Sequence, residues 1–260
     1  MMFCARDFLC ASAGLLALIS NASAQDVPDP RVVGGKGEVE IAYNDLSLTL
    51  TLSSRDARVT AADANGLIDV FNVAMHAERA LFSDAPCPRW IILSIVDESE
   101  FHCGGVDVQA ACASYDASDP SIGLIEFNGR YLSTTPAYDV IAHETMHQLQ
   151  GPVVETTCDF WREGEGDLAR YYWGGAQNQL ASGFSLPAPG AMDDILTDSR
   201  AAGAFLVWFH QHWHDEALQA FHRIIASGAC PENAFWKATT GLDWDGLWNA
   251  YANPSDPTDS

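Results

Sequence analysis

Two histidines flank a glutamate in the stretch His143-Glu144-Thr145-Met146-His147. If the stretch is helical, His143 and His147 project from one face, one turn apart. Two imidazoles so placed reach one ion at the roughly 2.0–2.1 Å of a zinc–nitrogen bond. Glu144 is turned about 100° from His143, so it does not share the ion but reaches a water held on it. The spacing thus separates two ligands from one general base, and the chemistry it suits is metal-assisted hydrolysis, with Glu144 taking the proton of a polarised water. The competing reading is a solvated helix face with two unrelated histidines, which predicts no third ligand nearby.

A catalytic zinc takes three protein ligands and keeps one position open. Gln150 and Val153 stand where a metzincin carries glycine and histidine, so that ligand set is excluded. Further on the chain offers Trp161-Arg162-Glu163-Gly164-Glu165-Gly166-Asp167. This segment resembles the W-x-E-G segment of the gluzincins, the thermolysin-like and peptidase MA-like HExxH metallopeptidases. The resemblance implies a zincin-like fold, one catalytic Zn2+, a peptide or protein substrate, and hydrolysis of peptide bonds; internal cleavage is the expectation, with terminal cleavage left open. It assigns Glu163 as third ligand and Asp167 as the carboxylate that receives the free ring N–H of a ligand histidine, fixing its tautomer. Three other acids stay open as the ligand: Asp167 itself, as in the aspzincins, Glu155 and Glu165. Each of Gly164 and Gly166 costs a helix about 1 kcal/mol against alanine, so close packing is expected at both. The family usually has alanine at the place of Gly166, a departure expected to leave the ligands untouched. The likeness extends more loosely through Ala204-Phe205-Leu206-Val207-Trp208-Phe209 and Leu247-Trp248-Asn249-Ala250-Tyr251.

An oxyanion needs a further donor. Tyr171, Tyr172, Tyr138 and His210 are candidates, with nothing to choose between them. By analogy with the resembling families, the strand before the motif helix (Leu124, Ile125, Glu126, Phe127) is expected to be an edge that holds the substrate backbone by β-addition. His210, His212 and His214 read as packing at a helix end, and His76, His102 and His222 as surface or satisfied core histidines.

The elements that must position these groups follow from periodicity. Residues 39–52 alternate apolar and polar, a strand hairpin about Asn44-Asp45. Residues 60–82 form an amphipathic helix. The apolar run 90–96 is a buried strand and 123–127 a short one, with Gly- and Asp-rich loop between them. Thr135-Pro136 starts the motif helix, which stops at Gly151-Pro152. A second helix begins near Asp159 and reaches Tyr172, a loop covers 174–192, and helices follow at 199–214, 215–227 and 244–250. The fold class is α+β: a small N-terminal mixed sheet with one helix, then a helical half carrying both ligand helices.

Residues 1–24 have the basic start, apolar middle and Ala22-Ser23-Ala24 site of an export signal. A single domain is expected over 25–252 and a disordered tail over 253–260. No later run is long enough to span a bilayer, so the chain is expected in the periplasm or outside the cell. A net charge of −22 argues against nucleic acid. Of the seven cysteines, Cys4 and Cys10 leave with the signal. Cys87, Cys103, Cys112, Cys158 and Cys230 remain, an odd number in an oxidising compartment, with Cys103–Cys112 the favoured pair. The alternative function is a non-proteolytic zincin-fold binding module of the cell envelope, which would have no use for Glu144.

Overall fold

Alternating burial shapes the first two strands, β1 (Gly37–Tyr43) and β2 (Leu48–Ser54), which pair antiparallel across a turn at 44–47. The structure is a computed structural model that describes residues 37–103, 110–133, 137–152, 158–175, 186–189 and 198–253. The signal at 1–24, the tail beyond 253, the helix start at Thr135-Pro136 and Glu155 all lie outside the described residues. Helix α1 (Ala61–Leu81) opens on a capping box between Thr60 and Asp63 and buries Leu67, Phe71, Ala74 and Leu81. It returns the chain to β3 (Trp90–Val96), which runs parallel to β2.

The stretch read as loop after β3 holds a short 3-10 turn and a further strand, β4 (Ala111–Tyr115), before β5 (Ile122–Asn128). The sheet order is β1-β2-β3-β5-β4, with β5 parallel to β3 and antiparallel to β4. This corrects the expected substrate strand: Leu124, Ile125, Glu126 and Phe127 lie in β5, which is hydrogen-bonded on both sides. Among the described residues the sheet's two edges are β1 and β4, and β4 is the one that meets the motif helix. Ladder bonds fall at Asn128 N–H to Ala110 and Asp116 N–H to Ile122. Antiparallel alternation therefore turns the N–H and C=O of Ala111, Ala113 and Tyr115 outward.

The helical half consists of α2 (Arg130–Ser133), α3 (Val140–Gln150), α4 (Asp159–Trp173), α5 (Ser199–Ala226), α6 (Asn233–Thr240) and α7 (Trp244–Ala252). Helix α3 begins at Val140 and ends where Gly151 takes φ +79°, a conformation that favours glycine. Helix α5 breaks at His214, φ +62°, as the two expected helices imply. Trp161 on α4 packs against Phe205 and Phe221 of α5, Trp236 of α6 and Trp244 of α7, which ties the helices into one aromatic core. Cys103 bonds Cys112, Cys158 bonds Cys230, and Cys87 is the free cysteine among the described residues. No described helix is long and apolar enough to cross a membrane.

Among the described residues several carboxyls are buried, and Glu78 of α1 is one of two with no exposure at all. The Thr145 hydroxyl of α3 lies 2.9 Å from its Oε1. Burial pushes its pKa well above the ordinary carboxylate range, with the nearby Glu165 adding to the effect and Thr145 and His143 opposing it. The folded state therefore holds the Glu78 proton more tightly than the unfolded state, whose Glu titrates near about 4.3. This contribution is present below that pH and is lost as pH rises through the folded pKa. In the metal-free chain, Glu78→Gln is expected to match the wild type near pH 4 and to become progressively more stable than it towards pH 8, read by urea unfolding at each pH.

Candidate metal centre

Helix α3 packs between α1, α4 and the edge strand β4, and its motif residues divide by face. His143 and His147 turn towards α4, their rings edge-to-face with centroids 4.8 Å apart. Glu163 in the first half of α4 faces both: its Oε2 is 3.1 Å from His143 Nε2, and its Oε1 is 3.4 Å from His147 Nε2. One ligand atom from each of the three residues lies within 4.8 Å of the others, a cluster that could hold a metal ion. Two unrelated histidines on a solvated face would not produce this convergence.

The other ring nitrogens are also occupied. His143 Nδ1 lies 3.2 Å from Asp167 Oδ1, and Asp167 Oδ2 accepts from the Ser199 hydroxyl at 2.9 Å. His147 Nδ1 lies 2.7 Å from Gln150 Oε1. With both Nδ1 atoms donating to these acceptors, both Nε2 lone pairs are free for an ion, so the donor set N, N, O fits zinc. Of the other acids weighed as ligands, Asp167 is committed to His143 and Ser199. Glu165 is wholly buried on another side of α4, against Gln150 and His222.

Electrostatics match the geometry. Burial opposes ionisation of Glu163, but the His143 hydrogen bond and the charges of His147, His143 and Arg162 outweigh it and bring its pKa down to about 2. Burial also works against a protonated His143, yet Asp167 and Glu163 hold it well above the ordinary imidazole value. Burial, reinforced by His143, lowers His147. Burial pushes Glu144, 4% exposed, up to about 7. The Glu144 carboxylate accepts a hydrogen bond from the outward N–H of Ala113, so the free edge of β4 passes beside it.

Gly166 departs from the sequence expectation. A Cβ there would fall 2.6–2.7 Å from His143 ring atoms, and one at Gly164 would fall 2.7 Å from the Ala202 Cβ on α5. Gly164 seats α4 on α5, whereas Gly166 makes room for a ligand ring. Gly166→Ala is expected to displace the His143 imidazole and weaken zinc binding by roughly 10–100-fold, the range for disturbed ligand support, measured by competition with a chelator.

The four candidate oxyanion donors are not gathered at the cluster. The Tyr138 hydroxyl donates to Asp63 on α1 at 3.0 Å. Tyr172 lies nine residues after Glu163, about two and a half turns, and so on the opposite face of α4. Its hydroxyl is 3.1 Å from His210 Nδ1, while His210 Nε2 is 2.8 Å from Asp215. Tyr171 is 38% exposed. His212 bonds the Trp208 carbonyl, in line with packing at a helix end. Sequence reasoning passed over Gln150 and Ser199. Gln150 was accessible to it, being three residues after His147 and hence on a neighbouring face; Ser199 lies far along the chain.

No family model and no curated protein matches the chain. Among solved structures, the Legionella pneumophila aminopeptidase A in complex with aspartic acid is similar, with a TM-score of 0.50 and 14% identity over 78% of this chain. The match spans 26% of that aminopeptidase, so this chain corresponds to about a quarter of its length. At this identity the likeness concerns the fold.

Proposed function

We propose that this chain is an exported, zinc-dependent peptidase of gluzincin type, in which His143, His147 and Glu163 hold the metal and Glu144 is the general base. The observation that carries the reading is the convergence of these three ligand groups with Glu144 beside a free strand edge. The aminopeptidase-like fold and the two disulfides agree with it. When bound, zinc supplies Lewis acidity that polarises a carbonyl and acidifies a water.

The chain's own residues do the rest. The outward groups of Ala111 and Tyr115 and the Ala113 carbonyl pair with the substrate backbone as an added strand, the Ala113 N–H being held by Glu144. This places a peptide carbonyl along the edge that passes Glu144. Glu144, buried and with its pKa raised towards neutrality, is matched to accept the attacking water's proton and to return it to the leaving amine. Asp167, anchored by Ser199, keeps the His143 imidazole oriented throughout. The test is a digest of an unstructured protein mixture. The zinc-loaded chain should generate new amino termini, a chelator should stop it, and added zinc should restore it. One bound zinc without any cleavage would favour a binding module instead.

A further inference from the structure

Behind His147 lies a row of polar side chains that the hydrolytic reading does not use. Gln150 Oε1 is 2.7 Å from His147 Nδ1. The Gln150 Nε2 group donates to Glu165 Oε2 at 2.9 Å and to the Arg162 carbonyl at 3.0 Å. His222 Nδ1 lies 3.2 and 3.3 Å from the two Glu165 oxygens. Gln150 and Glu165 are fully buried, and His222 is 2% exposed with its ring stacked on Phe82. His222 Nε2 is buried without a partner among the described residues.

Placing an amide, a carboxyl and an imidazole in the core is costly, and apolar residues of similar volume often serve stability as well or better. The arrangement has a direction that stability alone does not require. The Gln150 side chain has one acceptor and one two-hydrogen donor. Glu165 occupies the donor, so the amide is held in the orientation that offers its oxygen to His147. With His222 as the Nδ1–H tautomer, its ring N–H donates to Glu165 and holds that carboxyl in turn. Asp167, anchored by Ser199, does the same for His143. Each ligand ring is thus oriented by a partner tied back to α5, Asp167 directly through Ser199 and Gln150 by way of Glu165 and His222.

We infer that Gln150, backed by Glu165 and His222, is a positioning residue that keeps the proton of His147 on Nδ1 and its Nε2 directed to the metal. This rests on the reading of His143, His147 and Glu163 as ligands.

The test uses the whole chain and zinc alone. Zinc affinity is measured by chelator competition for the wild type, for Gln150→Met, which keeps the volume but removes the hydrogen bonds, and for the exchange Gln150→Glu with Glu165→Gln. The exchange rebuilds the bonds between side chains, since a carboxylate at 150 accepts from His147 and from the amide at 165 and the amide oxygen accepts from His222; the one bond it gives up is the donation to the Arg162 carbonyl. Gln150→Met should lose roughly 10–100-fold in affinity, and the exchange should recover most of it. In the zinc-loaded wild type the His147 Nδ1 proton should appear as a slowly exchanging proton resonance, absent in Gln150→Met. A folded Gln150→Met with wild-type affinity and that resonance intact overturns the inference while leaving the metal site standing. A wild type that binds no zinc overturns both. If Gln150→Met is unfolded, the exchange variant decides: recovered affinity upholds the row, and a folded exchange variant still down tenfold or more overturns it.

Discussion

Glu144→Gln is expected to lower peptide hydrolysis by at least about 10²–10⁴-fold, the range for loss of a positioned general base, with zinc retained. The glutamine keeps the shape of the side chain, and its carbonyl can still accept the Ala113 N–H. What it loses is the capacity to take a proton. Its amide is also neutral in a site where burial already disfavours the Glu144 carboxylate, so the metal-free variant should be at least as stable as the wild type. Loss of activity with undiminished thermal stability and one zinc per chain separates a chemical role from a structural one. The measurements are kcat/KM on a peptide cleaved by the wild type, zinc content and the unfolding temperature. An active, zinc-loaded Glu144→Gln would remove Glu144 from the mechanism.

Glu163→Ala acts on the metal itself. Among the described residues it removes the carboxylate that faces both Nε2 atoms, and no other described acid is placed to replace it. Asp167 is held by His143 and Ser199, and Glu165 by Gln150 and His222. Zinc affinity should therefore fall by more than the roughly 10–100-fold typical of outer partners, and hydrolysis at limiting zinc should fall with it. Glu163 is about half exposed, so the fold should persist, although the metal-free chain gives up the ion pairs with His143 and His147 that hold the Glu163 pKa low. Equilibrium dialysis against buffered zinc reads the affinity. An unchanged affinity would mean that zinc binds elsewhere.

The legible part of this protein was local. Residues one helical turn apart, the glycine after Gln150 and the apolar run of β3 all act within a few positions of themselves, and their elements lie where periodicity places them, although α3 begins at Val140, later than a start at Thr135-Pro136 implies. Glu163 was reached through resemblance, and the structure brings it to both histidines. The illegible part depends on partners distant in the chain. Strand β4 reads Ala-Cys-Ala-Ser-Tyr, with no apolar alternation; pairing with β5 makes it a strand and takes the edge position from residues 124–127. Close packing at Gly166 is legible from its cost in a helix, but that the neighbour is a ligand ring is not, because His143 comes from another helix. His222 looked bland because its partner, Glu165, meets it only when α5 folds back along α4. Helix α6 has weak signals and rests on Trp236 entering the aromatic core.

Anomalous diffraction at the zinc edge from crystals of the zinc-loaded chain tests the central claim most directly. One peak is expected about 2.0–2.2 Å from His143 Nε2, His147 Nε2 and a Glu163 oxygen, with Glu144 close by but not bound to it. A zinc peak elsewhere in the molecule, or none between these three residues at saturating zinc, would contradict the account.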